Sequence, residues 1–217
     1  MRQILLVVLL WPLSVLAGCP EFYPLHQPIA VPHSVELCNS FYVVEFDHEL
    51  NGAILSAEKF QRGSHPERSN DFHPDPRLSA INRAENSDYA HTGYDKGHLT
   101  PAADAVNAAE MHDTFLLSNM TPQEPTLNRQ SWRELEIQAR QLKPDYVVTG
   151  AVYPALKTRI GAHGVPVPLG YYKIIWARGT IRAWKALNQP NARVEQTTLE
   201  DVEKQSGLKF PRYGDIQ

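Results

Sequence analysis

Apolar residues fall into short blocks of two kinds along this chain. "FYVVEF", Phe41 to Phe46, is aromatic and β-branched and reads as a strand. "AILSAEKF" reads as a second strand, with "NG" at Asn51–Gly52 before it as a hairpin signal. "DYVVTGAVY" and "GYYKIIWARGTIRAWKAL" are later strands, the second a hairpin turning at Gly179. "TFLLSNM", Thr114 to Met120, is a buried strand by composition. A different period marks "TLNRQSWRELEIQARQL", where Leu127, Trp132, Leu135, Ala139 and Leu142 share one helical face before Pro144 ends the helix. "TTLEDVEKQSG" predicts a short helix with Thr197 and Glu200 as a capping box and Gly207 as its C-cap. A sheet with segregated helices gives an α+β architecture.

From Ser64 to Tyr94 the chain is polar and broken by prolines, which predicts an irregular surface excursion; long ordered loops of this kind are often functional. The chain has 217 residues, 42% hydrophobic and 21% charged, an ordinary globular composition. No internal repeat, heptad or long charge run interrupts it. The opening "MRQILLVVLLWPLSVLAGC" has a basic Arg2, an apolar run from Ile4 to Leu16 and small residues at Val15 and Ala17, the pattern of an export signal cleaved after Ala17. The run is too short to predict a membrane span. One domain over residues 18–217 would remain, in the periplasm or outside the cell. An oxidising compartment favours a disulfide between Cys19 and Cys38. The competing reading takes "LAGC" as a lipoprotein box, with Cys19 acylated and Cys38 free.

The formal net charge is −3, and losing Arg2 with the signal makes it −4. A chain that coats nucleic acid electrostatically is usually basic, so any such function here rests on a local patch. "YDKGHLTPAAD" offers the nucleus of one. His98, with an ordinary pKa near neutrality, suits the activation of water. On the predicted helix, Asn128, Trp132, Glu136 and Arg140 drift slowly around one side, so Asn128 and Glu136 can face a common site and Glu136 can pair with Arg140. Phosphodiester hydrolysis needs an activated water, stabilised phosphate charge and help for the leaving alkoxide. A hard divalent cation on oxygen ligands supplies the latter two. His65, His73, His91 and His112 show no paired ligand spacing. Two cysteines cannot build a four-ligand zinc site, and Ser118 lacks a G-x-S-x-G setting.

In order and at this spacing, "DKGHLTPAAD", "LSNMTPQ" and "LNRQSWRELE" resemble the three motif blocks of the DNA/RNA non-specific endonucleases, the ββα-metal nucleases. The resemblance runs from about Ala53 to Leu208 and is strongest from Tyr94 to Arg140. It implies a mixed or antiparallel sheet with helices and an embedded ββα-metal element. It implies that His98 is the general base, that Asn128 is the single protein ligand of Mg²⁺, and that Glu136 orients metal-bound water. Asn119 would position His98 or the substrate, and Arg140 would support the site or the phosphate. Mn²⁺, which also takes oxygen ligands, would substitute for Mg²⁺. Substrates would be DNA and RNA, cut with little sequence preference to 5′-phosphate ends. The family includes dimers, and the oligomeric state here stays open. Lys96 stands where the family usually has arginine, keeping the charge but losing the bidentate fork. Arg68 in "ERSNDFHPD" and Arg129 beside Asn128 are the substrate-binding candidates. Two other readings compete: a nuclease-like module that binds nucleic acid or protein without cutting, and a phosphoesterase acting on nucleotides or sugar phosphates.

Overall fold

The computed structural model describes residues 18–155 and 158–214, so the expected export signal at 1–17 lies outside the described residues. Eleven strands follow one another along them: β1 (Ser34–Cys38), β2 (Tyr42–Asp47), β3 (Gly52–Lys59), β4 (Asp95–His98), β5 (Met120–Gln123), β6 (Tyr146–Val152), β7 (Arg159–Ile160), β8 (Val165–Pro166), β9 (Gly170–Ala177), β10 (Thr180–Leu187) and β11 (Glu195–Thr197). Seven of them form one sheet in the order β1-β2-β3-β6-β9-β10-β11, and every neighbouring pair is antiparallel. The helices are α1 (Asn86–Tyr89), α2 (Ala108–Thr114), α3 (Arg133–Gln141) and α4 (Leu199–Ser206). The α+β class therefore holds, with an antiparallel sheet.

Alternation along the strands explains why this sheet is buried on both faces. Tyr42, Val44 and Phe46 of β2 join a cluster with Phe115, Leu127, Trp132 and Leu135 on one side. Val43 joins Leu55, Val148, Ile174 and Trp176 on the other, beneath the N-terminal segment and α4. The Cys19–Cys38 disulfide ties that N-terminal segment to the end of β1. The turn between β9 and β10 uses Arg178 and Gly179, both at positive φ (50° and 76°), as a tight hairpin requires.

Several local expectations need correction. Asn51–Gly52 is no two-residue turn, because Asp47 pairs with Gly52 and the loop runs from His48 to Asn51; Asn51 alone takes positive φ, 59°. "TFLLSNM" is not a strand. Thr114 ends α2, Leu117–Asn119 is a 3-10 turn, and β5 starts only at Met120. Its apolar residues are buried by packing rather than by pairing. Helix α4 is capped by Thr198, whose side chain accepts from Asp201 N, one position later than the expected Thr197 box. Gly207 does end it in the left-handed region, at φ 74°. The excursion from Ser64 to Tyr94 is irregular, yet Asp75, Leu78 and Tyr89 are buried, so it forms part of the core wall.

Candidate active site

Strands β4 and β5 form a two-stranded finger that sets Asp95 opposite Gln123, Lys96 opposite Pro122, Gly97 opposite Thr121 and His98 opposite Met120. A π-wound turn, Leu127–Trp132, and then α3 follow β5 at once, which completes the expected ββα element. Gly97 is dictated by the finger itself. A Cβ there would collide with the Gln123 side chain, so the close approach the glycine allows is to a strand neighbour.

The helix is anchored by Trp132, which is 1% exposed and packs on Tyr171 with ring centroids 5.6 Å apart. Eight α-helical steps would leave Asn128 and Glu136 about 80° apart around the axis. The wider π winding turns fewer degrees per residue and brings Asn128 back toward Glu136. Both then line a cleft of about 840 Å³, together with Arg68, Phe72, Tyr89, Asp95, Lys96, His98, Arg129, Arg133 and Arg140. Trp132, expected to drift with them, turns into the core instead.

His98 sits between Phe72 and Phe115, with ring centroids 5.9 and 5.1 Å away. Its Nε2 is buried and has no hydrogen-bond partner. Burial pulls its pKa down to about 3, with help from the Arg68 charge, so the ring is neutral near pH 7. The Arg68 guanidinium lies 5.3 Å from the Phe115 ring centre. Lys96 Nζ lies 4.7 Å from the centre of Phe72 and 5.7 Å from that of Tyr89. Burial lowers the Lys96 pKa, and Asp95 opposes that shift.

Asn119 is fully buried and outside the cleft. Its Oδ1 accepts from Thr100 N at 3.0 Å, and its Nδ2 donates to Thr100 O at 2.9 Å and Thr114 O at 3.0 Å. Its own carbonyl accepts from Leu99 N at 3.0 Å, so the residue staples the backbone that follows His98. Asn128 Nδ2 donates to Asp95 Oδ2 at 2.9 Å, which fixes the amide plane. Arg129 grips the same carboxylate from Nε at 2.8 Å and Nη2 at 2.5 Å.

Glu136 does not pair with Arg140. Arg140 Nη1 donates to Asp104 Oδ1 at 3.0 Å instead, which directs it across to the loop after His98. Burial pushes the Glu136 pKa up to about 7; Lys173 pulls it down, Asp104 pushes it up, and Arg140 and Arg68 pull it down. Beneath the site, Lys173 is 1% exposed and donates to Thr149 Oγ1. Glu58, buried beside Asp104, is pushed well above the carboxylate range by burial and by the Asp104 charge.

Five cationic side chains (Arg68, Lys96, Arg129, Arg133, Arg140) and two acids (Asp95, Glu136) line the cleft, a local balance of 5 − 2 = +3. The whole chain carries −3. The positive patch that the bulk charge concealed is therefore concentrated here. Sequence reasoning passed over Asp95, the partner of Asn128, although it stands in the same motif block. It also missed Arg133, which i, i+4 spacing from Arg129 could have flagged. Phe72, Tyr89 and Lys173 had no sequence signal, because long-range packing alone brings them in.

The family model for DNA/RNA non-specific endonuclease matches residues 27–215. The chain belongs to the DNA/RNA non-specific endonuclease family. Among its relatives it is similar to mitochondrial endonuclease G of Bos taurus, 34% identical over 198 residues, covering 78% of this chain and 66% of that protein. It is equally similar to nuclease C1 of Cunninghamella echinulata var. echinulata, 34% identical over 200 residues, covering 78% and 79%. This endonuclease-family chain thus spans about two thirds of the bovine relative's length. A crystal structure of the EndoG/EndoGI complex, concerned with EndoG inhibition, superposes with a TM-score of 0.73 at 29% identity, over 83% of this chain and 86% of that one.

Proposed function

We propose that the protein is a Mg²⁺-dependent endonuclease that hydrolyses DNA, and RNA as a second substrate, with little sequence preference. One observation carries the reading: a neutral histidine with an unpaired buried Nε2 shares a positively charged cleft with an amide and a carboxylate on one helix. The oxygen donors fit a hard dication. Asn128 has its NH₂ tied to Asp95, leaving Oδ1 as its ligand atom, and Glu136 supplies a carboxylate for the water shell. When bound, Mg²⁺ neutralises charge on the phosphate and on the leaving 3′ oxygen, which yields 5′-phosphate ends.

The chain's own groups do the rest. His98 takes the proton of the attacking water. A phosphate in the cleft opposes the Arg68 charge and lifts His98 back toward a useful basicity. Arg68, Lys96 and Arg140 hold phosphate oxygens. Asn119 acts through the backbone, keeping the segment after His98 in place. Asp95 is the positioning group for Asn128. Contacts of this kind are made to the phosphodiester backbone, which carries no sequence information directly.

Plasmid digestion with Mg²⁺, with chelator and with His98→Ala tests this. Cleavage that is chelator-sensitive and lost in the variant is expected; equal rates for variant and wild type would sink the assignment of the base. Tight, metal-independent DNA binding without cutting would favour the binding-module reading. Export is the second part of the proposal, supported by the Cys19–Cys38 disulfide and the apolar opening of the sequence. Mass spectrometry of the mature N-terminus should find cleavage after Ala17 and no lipid on Cys19.

A further inference from the structure

We propose that Asp71, His73 and His112 form a second metal site, one for Zn²⁺, outside the cleft. Their ligand atoms lie within 4.8 Å of one another. His73 and His112 are 112 − 73 = 39 positions apart, and nothing in their spacing announces a pair. The backbone makes the meeting. His73 N donates to Phe115 O at 3.2 Å and Leu117 N donates to His73 O at 2.8 Å, so the segment is stapled to the end of α2, where His112 sits.

The tautomer of a neutral His73 ring is set by its partner. Nδ1 lies 2.7 Å from the Asp71 carbonyl, which can only accept, so Nδ1 carries the hydrogen and Nε2 the lone pair. That Nε2 is buried and has no hydrogen-bond partner. An unpaired buried acceptor is destabilising, and a metal ion would satisfy it. The arrangement is also that of a metal-binding histidine, whose other ring nitrogen donates to a backbone carbonyl. The His112 ring lies against His73, with centroids 4.2 Å apart and planes 29° from parallel. Zinc–nitrogen bonds of about 2.0–2.1 Å need the donors closer together than 4.8 Å. The His112 side chain is 60% exposed, and closing that distance would take its Nδ1 away from Asp113 Oδ1, now 3.8 Å off.

Two imidazoles and one carboxylate suit zinc, with water in the fourth position. Mg²⁺ prefers an all-oxygen shell, so the two sites would sort the two ions. A zinc ion here would cross-link the 71–73 segment to α2. It would thereby fix Phe72 and Phe115, the two rings that bracket His98.

The test is calorimetric titration of the chelator-stripped full chain with Zn²⁺ in Mg²⁺-free buffer, for wild type, Asn128→Ala, His112→Asn and Asp71→Asn, with melting temperature followed alongside. His112 and Asp71 are exposed, so these variants fold. Wild type and Asn128→Ala should each bind one Zn²⁺ and melt higher with it. His112→Asn and Asp71→Asn should weaken that binding by at least about tenfold and lose the rise. Co²⁺ should give the visible band of a tetrahedral site in wild type and not in His112→Asn. No binding in wild type, equal binding in His112→Asn, or a site lost in Asn128→Ala alone would each overturn the proposal.

Discussion

Two histidines meet the same pair of phenylalanines and end in different surroundings. His98 packs its ring against Phe72 and Phe115. His73 directly follows Phe72 and hydrogen-bonds the Phe115 carbonyl. Each has a buried Nε2 without a partner. Around His98 stand Arg68 and the cleft's amide and carboxylate. Around His73 stand a second imidazole and an exposed carboxylate. The ring chemistry is the same, so the neighbours decide what each ring does. In the roles proposed above, one would be a base facing a charged polymer, and the other a ligand for a borderline-soft metal.

The largest effect that would break this contrast is on cleavage. His98→Ala should lower the plasmid-cutting rate by about 10²–10⁴-fold, the usual worth of a general base, whereas His112→Asn should cut at the wild-type rate in Mg²⁺. A comparable loss in both would erase the distinction between the two regions. Next comes the partner of Asn128. Asp95→Asn should raise the Mg²⁺ concentration needed for half-maximal cleavage by about 10–100-fold, read from metal titrations of activity.

A smaller effect is the pH profile. The His98 pKa in the free protein is pulled down to about 3, and only the neutral ring is a base. The acid limb of kcat/KM should therefore lie below the ordinary histidine value, and Arg68→Met should move it upward. Because the folded value is depressed, His98 contributes stability that is present above the unfolded value near 6.5 and is lost as pH falls toward 3. The thermal midpoint of His98→Ala should thus fall less steeply with acid than that of wild type. The smallest effect concerns Lys96. Its ammonium sits over Phe72 and Tyr89, a surface on which a guanidinium also stacks. Lys96→Arg should leave cleavage unchanged or raise it a few-fold; a large loss would mean the contact is specific to the ammonium.

What was legible in the sequence follows the range of the forces involved. "FYVVEF", "DYVVTGAVY" and the hairpin through Gly179 were readable because pairing and burial act on neighbouring positions. The ββα element was readable because its three motif blocks lie close together in the chain. "TFLLSNM" misled because its residues are buried by α2 and the core cluster, and apolar composition does not distinguish that from a strand. The Glu136–Arg140 pair was a sound local inference that lost to Asp104, 36 positions away. β1 was missed because "SVELC" has a polar face and is held by its register with β2. The meeting of His73 and His112 had no local signal at all.

The π-wound turn at Leu127–Trp132 has one more consequence. A helix in that state holds one residue more than a regular helix would need for the same length. Deleting a single residue, such as Gln130, would let the segment heal into uninterrupted α-helix at little or no cost in folding. Seven α-helical steps would then separate Asn128 from Glu136, leaving them within about 20° of each other around the axis, so the pair would stay in phase. A stable, well-folded deletion variant that still cuts would show that the π turn absorbs one surplus residue while keeping the active face in register, a length difference that a reading by residue type alone passes over.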